Sequence, residues 1–235
     1  MKKLKEFLKF IGVFLLYFII INFLNILFYN DVTNTNNILR NLATTTISLI
    51  TITIFFFIYY KTIVKDFYNI NKEILKDGLK YWLLGYLIMY ISNIVLYIIG
   101  GDLPVNEVKN RALILENLYY SIINMAIMAP IIEELIFRRG LRNAFTNKYL
   151  FAFTSGLLFS LMHLISEIFV NPTLLIILYI IPYGALGFTF ALAYYKTNNI
   201  FSSITFHAIH NTIAILLLVI IGWLEWEELF IQLFY

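Results

Sequence analysis

Residues 113–138 read LILENLYYSIINMAIMAPIIEELIFR. A helix needs about 20 mostly apolar residues to cross a bilayer, and residues 113–137 supply them. Yet Glu133 and Glu134 stand side by side near the end of this run. Ionisable groups are expensive in hydrocarbon, so they normally face a cavity or a partner and mark function. All three histidines, His163, His207 and His210, also lie in apolar runs. A chain that keeps most charge in short loops, yet places a carboxylate pair and every imidazole in apolar runs, points to a buried reaction site.

The rest of the chain has the same character. Hydrophobic residues make up 61%, charged residues 13%, and the mean hydropathy is +0.82. Soluble domains carry roughly 25% charged residues, so the composition indicates a membrane protein. With no cysteine, disulfides, thiolate nucleophiles and cysteine metal sites are excluded. Seven runs approach or reach spanning length: 7–28, 42–60, 82–99, 113–137, 150–170, 174–195 and 200–221. The first has no small-residue cleavage pattern after it and reads as a span, not a removable signal. Residues 223–235 mix Trp223, Trp226 and Phe230 with Glu225, Glu227 and Glu228, the pattern of a short interfacial helix. The expected fold is an all-α polytopic bundle of about seven spans plus that helix, forming a single integral membrane domain over 1–235.

Orientation follows from Lys/Arg asymmetry. With the N-terminus in the cytoplasm, all of the 17 basic residues except Arg40, Lys109 and Arg111 fall on the cytoplasmic side. The C-terminus is then outside, in a multi-pass protein of the cell membrane. The same topology puts Glu133, Glu134 and His207 within two turns of the cytoplasmic ends of their spans. His163 lies deeper.

On a helix, Glu134 and Arg138 are four apart on one face, in the favoured order of acid before base. Their pairing leaves Glu133 to point elsewhere, and a buried carboxyl without an equal counter-charge suits a general base acting on water. Pro130 cannot donate a backbone hydrogen bond, so a kink is expected just before the pair. His207 and Asn211 share a face and offer two donors to an oxygen that becomes negative. One such donor is worth about 3 kcal/mol in an oxyanion site. With His163, these groups describe water attack on an acyl carbon. Phe159, four before His163, reads as packing that shapes the pocket. His210 reads as a packed histidine, Arg139 and Arg142 as anchors, and Pro182, Gly184 and Gly187 as a kink or close helix contact. Asn22, Asn25, Asn93 and Asn124 read as interhelical hydrogen bonders.

Glu133-Glu134-x-x-x-Arg138, Phe159-x-x-x-His163 and His207-x-x-x-Asn211, in this order on three spans, resemble the CPBP family of intramembrane proteases. That family includes CAAX-processing endopeptidases and bacterial proteins linked to bacteriocin processing and self-immunity. The resemblance covers about Ala129 to Asn211 and implies a protease core at about 112–221. It implies a glutamate-type endopeptidase acting on hydrophobic or lipidated peptides at the cytoplasmic side. Glu133 would activate water with help from His163, Glu134 and Arg138 would support, and His207 and Asn211 would hold the oxyanion. Arg139 stands where the family often has a small residue, with Gly140 one later.

Two histidines and a glutamate are also a zinc ligand set, but no glutamate follows any histidine, so the H-E-x-x-H signature is absent. The reading favours no metal and no other cofactor. Its partners are a peptide or protein substrate and the lipid bilayer, not nucleic acid. Rival readings are a non-catalytic scaffold or immunity protein, a zinc-dependent version of the same protease, and a proton relay. Against the relay, the outer halves of runs four and seven offer almost no polar trail.

Overall fold

The computed structural model describes residues 2–29, 37–170 and 175–223. It is all-helical, with no strand among the described residues. In hydrocarbon every backbone polar group must be satisfied within its own segment, which drives each long apolar run into a helix. The elements are α1 (Lys2–Tyr29), α2 (Asn37–Tyr68), α3 (Lys72–Ile98), α4 (Val105–Glu116), the composite helix α5 (Leu118–Ala144), α6 (Lys148–Val170), α7 (Ile176–Thr197) and α8 (Phe201–Trp223). Among the described residues, six helices, α2, α3 and α5 to α8, are long and apolar enough to cross a membrane. The expected span 7–28 is helical within α1, and side chains near its end lie outside the described residues. Of the proposed interfacial helix at 223–235, residues 224–235 lie outside the described residues.

Local chemistry sets the boundaries. Asn71 accepts the Ile74 N–H at 3.0 Å and starts α3. Gly100 ends α3 at φ +73°, a conformation that glycine adopts without cost. Asn198, at φ 49°, closes α7 in the same left-handed region. The expected run 113–137 is cut by Asn117, whose side chain accepts the Tyr120 N–H at 3.1 Å. Span four therefore begins at Leu118, and the residues before it form α4, an element that hydropathy alone does not separate.

The bundle has two distinct ends. At one, Lys3 donates to the Asn143 carbonyl at 3.3 Å, and Asn199 donates to the Asp66 carbonyl at 2.7 Å. These bonds gather the start of α1, the α2–α3 turn, the α5–α6 loop and the α7–α8 turn, where most basic residues sit. At the other end, Arg40 pairs with Glu116 at 3.1 Å and the Val105 N–H donates to Glu167 at 2.6 Å. These bring together the start of α2, all of α4 and the end of α6. Glu167, which interrupts its apolar run, is thus explained as the anchor of α4.

Between the ends, α6 and α7 approach backbone to backbone. A Cβ on Gly156 would lie 2.9 Å from the Gly184 carbonyl oxygen and the Phe188 nitrogen. Small residues at such crossings let helices pack closely where no hydrophobic force favours association. Phe55, Leu135, Ile136, Phe137, Phe151 and Ile200 build a fully buried core toward the basic end. Phe57, Ile98 and Phe169 are more than 70% exposed, as suits side chains that face lipid.

Candidate active site

The segment that carries the glutamates is not a regular α-helix. Within α5, Ile122–Met128 and Glu134–Gly140 are π-helical, and Ala129–Glu133 between them is α-helical. π turns are rare and concentrate at functional positions. Here the cause is traceable to Pro130. The Ala129 N–H reaches back five residues to the Asn124 carbonyl. The next rung of that ladder would run from residue 130 to the Met125 carbonyl, and proline has no N–H. Asn211 of α8 supplies the missing donor, its Nδ2 reaching the Met125 oxygen at 2.8 Å. The expected disturbance at Pro130 is therefore real, but it takes the form of π winding and a cross-helix bond.

Glu134 and Arg138 are fully buried, with Nε and Oε2 3.1 Å apart. Arg138 also donates from Nη2 to the Gly187 carbonyl at 3.3 Å and lies over the Phe159 ring at 4.8 Å. The other oxygen of Glu134, Oε1, receives Nδ1 of His207 at 2.9 Å. Both oxygens of Glu134 thus have fixed partners. His207 is stacked on Phe190 at 5.2 Å, and its Nε2 stands 3.6 Å from Oε2 of Glu133. His207 therefore sits between the two carboxylates.

Glu133, Phe159, His163, His207 and Asn211 all line one cavity of about 380 Å³. His163 holds its Nδ1 3.0 Å from the Phe159 carbonyl and packs on the rings of Phe159 and Tyr183 at 4.4 and 5.4 Å. With Nδ1 engaged by its own helix, Nε2 is the nitrogen left for chemistry. Glu133 also borders a second, smaller cavity of about 90 Å³ shared with Tyr17, Ser48 and Thr51. The candidate site residues Glu133, Phe159, His163, His207 and Asn211 are thus brought to one place, and Glu134 and Arg138 flank it from within the protein.

Residues 115–213 match the family described as Type II CAAX prenyl endopeptidase Rce1-like. The similarity covers 115–213 and is to an Rce1-like CAAX endopeptidase domain. The match agrees with the resemblance to the CPBP proteases and supports an intramembrane endopeptidase in general. No curated protein and no solved structure matched the chain. The Rce1-like segment holds all seven residues named above, from Glu133 to Asn211. It does not include the start of α4 or the end of α3, which complete the cavity with Asn93, Leu96, Asp102 and Asn106.

Several contacts of this domain escaped the sequence. Phe190 and Tyr183 clamp the two imidazoles, and the Gly187 and Met125 carbonyls receive Arg138 and Asn211. Ring residues in an apolar span carry no mark of orientation, and a carbonyl carries no sequence mark at all. Asn124 does bond across helices, to Thr45 Oγ1 at 2.8 Å, but Asn22 donates to Phe18 of its own helix at 2.8 Å. The side chain of Asn25 is outside the described residues. His210 accepts from Trp82 Nε1 at 3.5 Å, packs on Tyr86 and also faces the cavity. Outside the spans, Glu107 borders the same cavity and pairs with Arg111 at 2.8 Å. Burial pushes its carboxyl above the usual range, against the lowering pull of Arg111.

Among the described residues no group of three His, Asp or Glu side chains is arranged to hold a metal ion. The zinc reading needs three protein ligands and one open position. His207 already spends its Nδ1 on Glu134, which leaves Nε2 as its one nitrogen for any further ligand.

Proposed function

We propose that the chain is a glutamate-type intramembrane endopeptidase in which Glu133 takes the proton of the attacking water. The observation that supports this is the division of labour between the adjacent carboxylates. Glu134 has one oxygen on Arg138 and the other on His207, whereas Glu133 faces the cavity with its nearest charged partner 3.6 Å away. A general base must reach its proton directly or through one water, and only Glu133 of the pair has the room.

The remaining roles follow from chemistry. Water placed between Glu133 and His163 Nε2 loses a proton to the carboxylate as its oxygen attacks the peptide carbonyl. Oxygen charge that develops on the far side is met by His207 Nε2, when protonated, and by the carboxamide of Asn211. One Asn211 N–H is committed to Met125, and a carboxamide has a second. Glu133 then returns its proton to the departing amine. Glu134 and Arg138 hold His207 in place and do not touch the substrate. Phe159 carries His163 on its carbonyl and Arg138 under its ring.

The substrate reading is a hydrophobic or lipidated peptide, and the N-terminus is read as cytoplasmic. The test is cleavage of an acylated, quenched-fluorescent peptide by the purified protein in detergent. Wild type cleaves with or without chelator, and Glu133→Gln loses about 10²–10⁴-fold, the range of a general base. Loss of wild-type cleavage on chelation would restore the zinc reading. Equal rates for wild type and Glu133→Gln would remove the proposed role.

A further inference from the structure

Glu133 borders two cavities, and the mechanism above uses only the larger. The smaller, of about 90 Å³, is walled by one turn from each of three helices. α1 gives Tyr17 and Ile21, α2 gives Ile47, Ser48 and Thr51, and α5 gives Ala129, Ile132 and Glu133. Spacings of three and four put the contributors of each helix on a single face. Antiparallel packing of α1 on α5 sets the register. Phe14 meets the Phe137 ring at 5.9 Å, and a Cβ on Gly140 would lie 3.1 Å from Phe10. One turn further along, the same register brings Tyr17 to Glu133. α2 runs parallel to α5 and is tied to it on both sides of the chamber, where Asn124 donates to Thr45 at 2.8 Å and Arg139 to Thr62 at 3.0 Å.

The two cavities share Ala129 and Glu133, which stand one turn apart on α5. That strip lies between them, and Glu133 is the one carboxylate, among the described residues, that lines both. The chemistry of the smaller chamber suits water. Its volume matches about three waters at the ~30 Å³ each takes in the liquid, and a buried water needs about two to four polar partners. Tyr17, Ser48 and Thr51 bring hydroxyls, and Glu133 brings a carboxylate. Thr51 spends its hydrogen on the Ile47 carbonyl at 2.8 Å, so its oxygen remains as an acceptor. Hydrolysis consumes one water for each peptide bond cut, while a peptide in the larger cavity displaces the water there. We propose that the smaller chamber holds the water that the reaction consumes, and that Tyr17, Ser48 and Thr51 are positioning residues that present it to Glu133. The water oxygen bonds the peptide carbon, its proton passes to Glu133 and then to the departing amine, and the chamber supplies the next molecule. That this water meets a base rests on the reading of Glu133 above. The wall that holds it comes from α1 and α2, both outside the Rce1-like segment.

The test uses the full chain in detergent and the acylated peptide described above. Tyr17→Phe combined with Thr51→Val removes two hydroxyls and leaves the chamber its shape. Its kcat falls about tenfold, the weight of one or two neutral hydrogen bonds, while KM and melting temperature stay at wild-type values. Thr51→Val alone is slower than wild type, and Thr51→Ser, which returns the hydroxyl, recovers most of that rate. Ser48→Leu fills the chamber with carbon and also lowers kcat at unchanged KM. Ser48→Val replaces it should that protein fail to accumulate. The proposal is overturned by a double variant or a filled chamber with wild-type kcat, by a loss confined to KM, or by a Thr51→Ser as slow as Thr51→Val. Glu133→Gln is run alongside. Its inactivity beside an unimpaired double variant strikes the chamber alone, whereas its full activity strikes the base reading and the chamber with it.

Discussion

Glu133 and Glu134 are one residue apart, and their surroundings separate them completely. Glu134 is buried against Arg138 and His207, so Glu134→Gln leaves Arg138 without its counter-charge in a fully buried position. Breaking a buried pair by removing one partner costs about 3–5 kcal/mol, so this variant should unfold at clearly lower temperature in detergent. Glu133→Gln should unfold like wild type, because its carboxylate has no short contact to lose. Parallel thermal melts of the two variants check the contrast, and a destabilised Glu133→Gln with a normal Glu134→Gln would reverse the assignment. His163→Ala should lower the cleavage rate with a smaller stability loss than Glu134→Gln, since His163 hydrogen-bonds its own helix at Phe159 and meets α7 through ring packing on Tyr183.

At the scale of helices, the π winding of α5, the proline within it and Asn211 form one unit. If Asn211 is there partly to satisfy Met125, then Asn211→Ala leaves a part-buried carbonyl unpaired, at about 1–3 kcal/mol. Pro130→Ala restores an N–H to the ladder and should recover part of that loss. A double-mutant cycle on melting temperature should show the two substitutions coupled, and simple additivity would refute the link. Close packing of α6 on α7 makes a second prediction. Gly156→Val places methyl groups where backbone lies within 2.9 Å of a Cβ, and folded yield in detergent should collapse.

This is also the scale at which the sequence ran out. Hydropathy located the helices that carry the site because lipid leaves an apolar run no other structure. It could not see that Asn117 divides a continuous apolar run, because a capping side chain is a local hydrogen bond and hydropathy averages it away. The π turns were invisible for a related reason: an assumed 100° per residue was close enough to pair Glu134 with Arg138, but it hid the orphaned Met125 carbonyl. Residue types gave the members of the site, while the partners supplied by backbone atoms and aromatic rings had to be seen.

Taken whole, the molecule is a helical bundle folded around the cavity that holds the site. The seven residues named from the sequence converge because α5, α6 and α8 contribute them at similar depth. Their depth along each helix was readable from about 1.5 Å of rise per residue, whereas the walls that complete the cavity were not. Part of those walls comes from the start of α4 and the end of α3, which lie outside the Rce1-like segment. With the basic loops inside, a fluorescent protein fused after Lys196 should fold and fluoresce in the cytoplasm, and one fused after Asp102 should not. Fluorescence from both fusions, or the opposite pattern, would contradict the orientation.

The role of Glu133 is tested most directly by tracing the oxygen of the attacking water. Wild-type protein is allowed many turnovers on the acylated peptide in H₂¹⁸O, and the masses of the product and of the protein fragment bearing Glu133 are recorded. A base that activates water sends the label to the new C-terminal carboxylate of the product and leaves Glu133 unlabelled. Label in the Glu133 carboxylate would reveal an acyl-enzyme, with the glutamate as nucleophile, and would contradict the account.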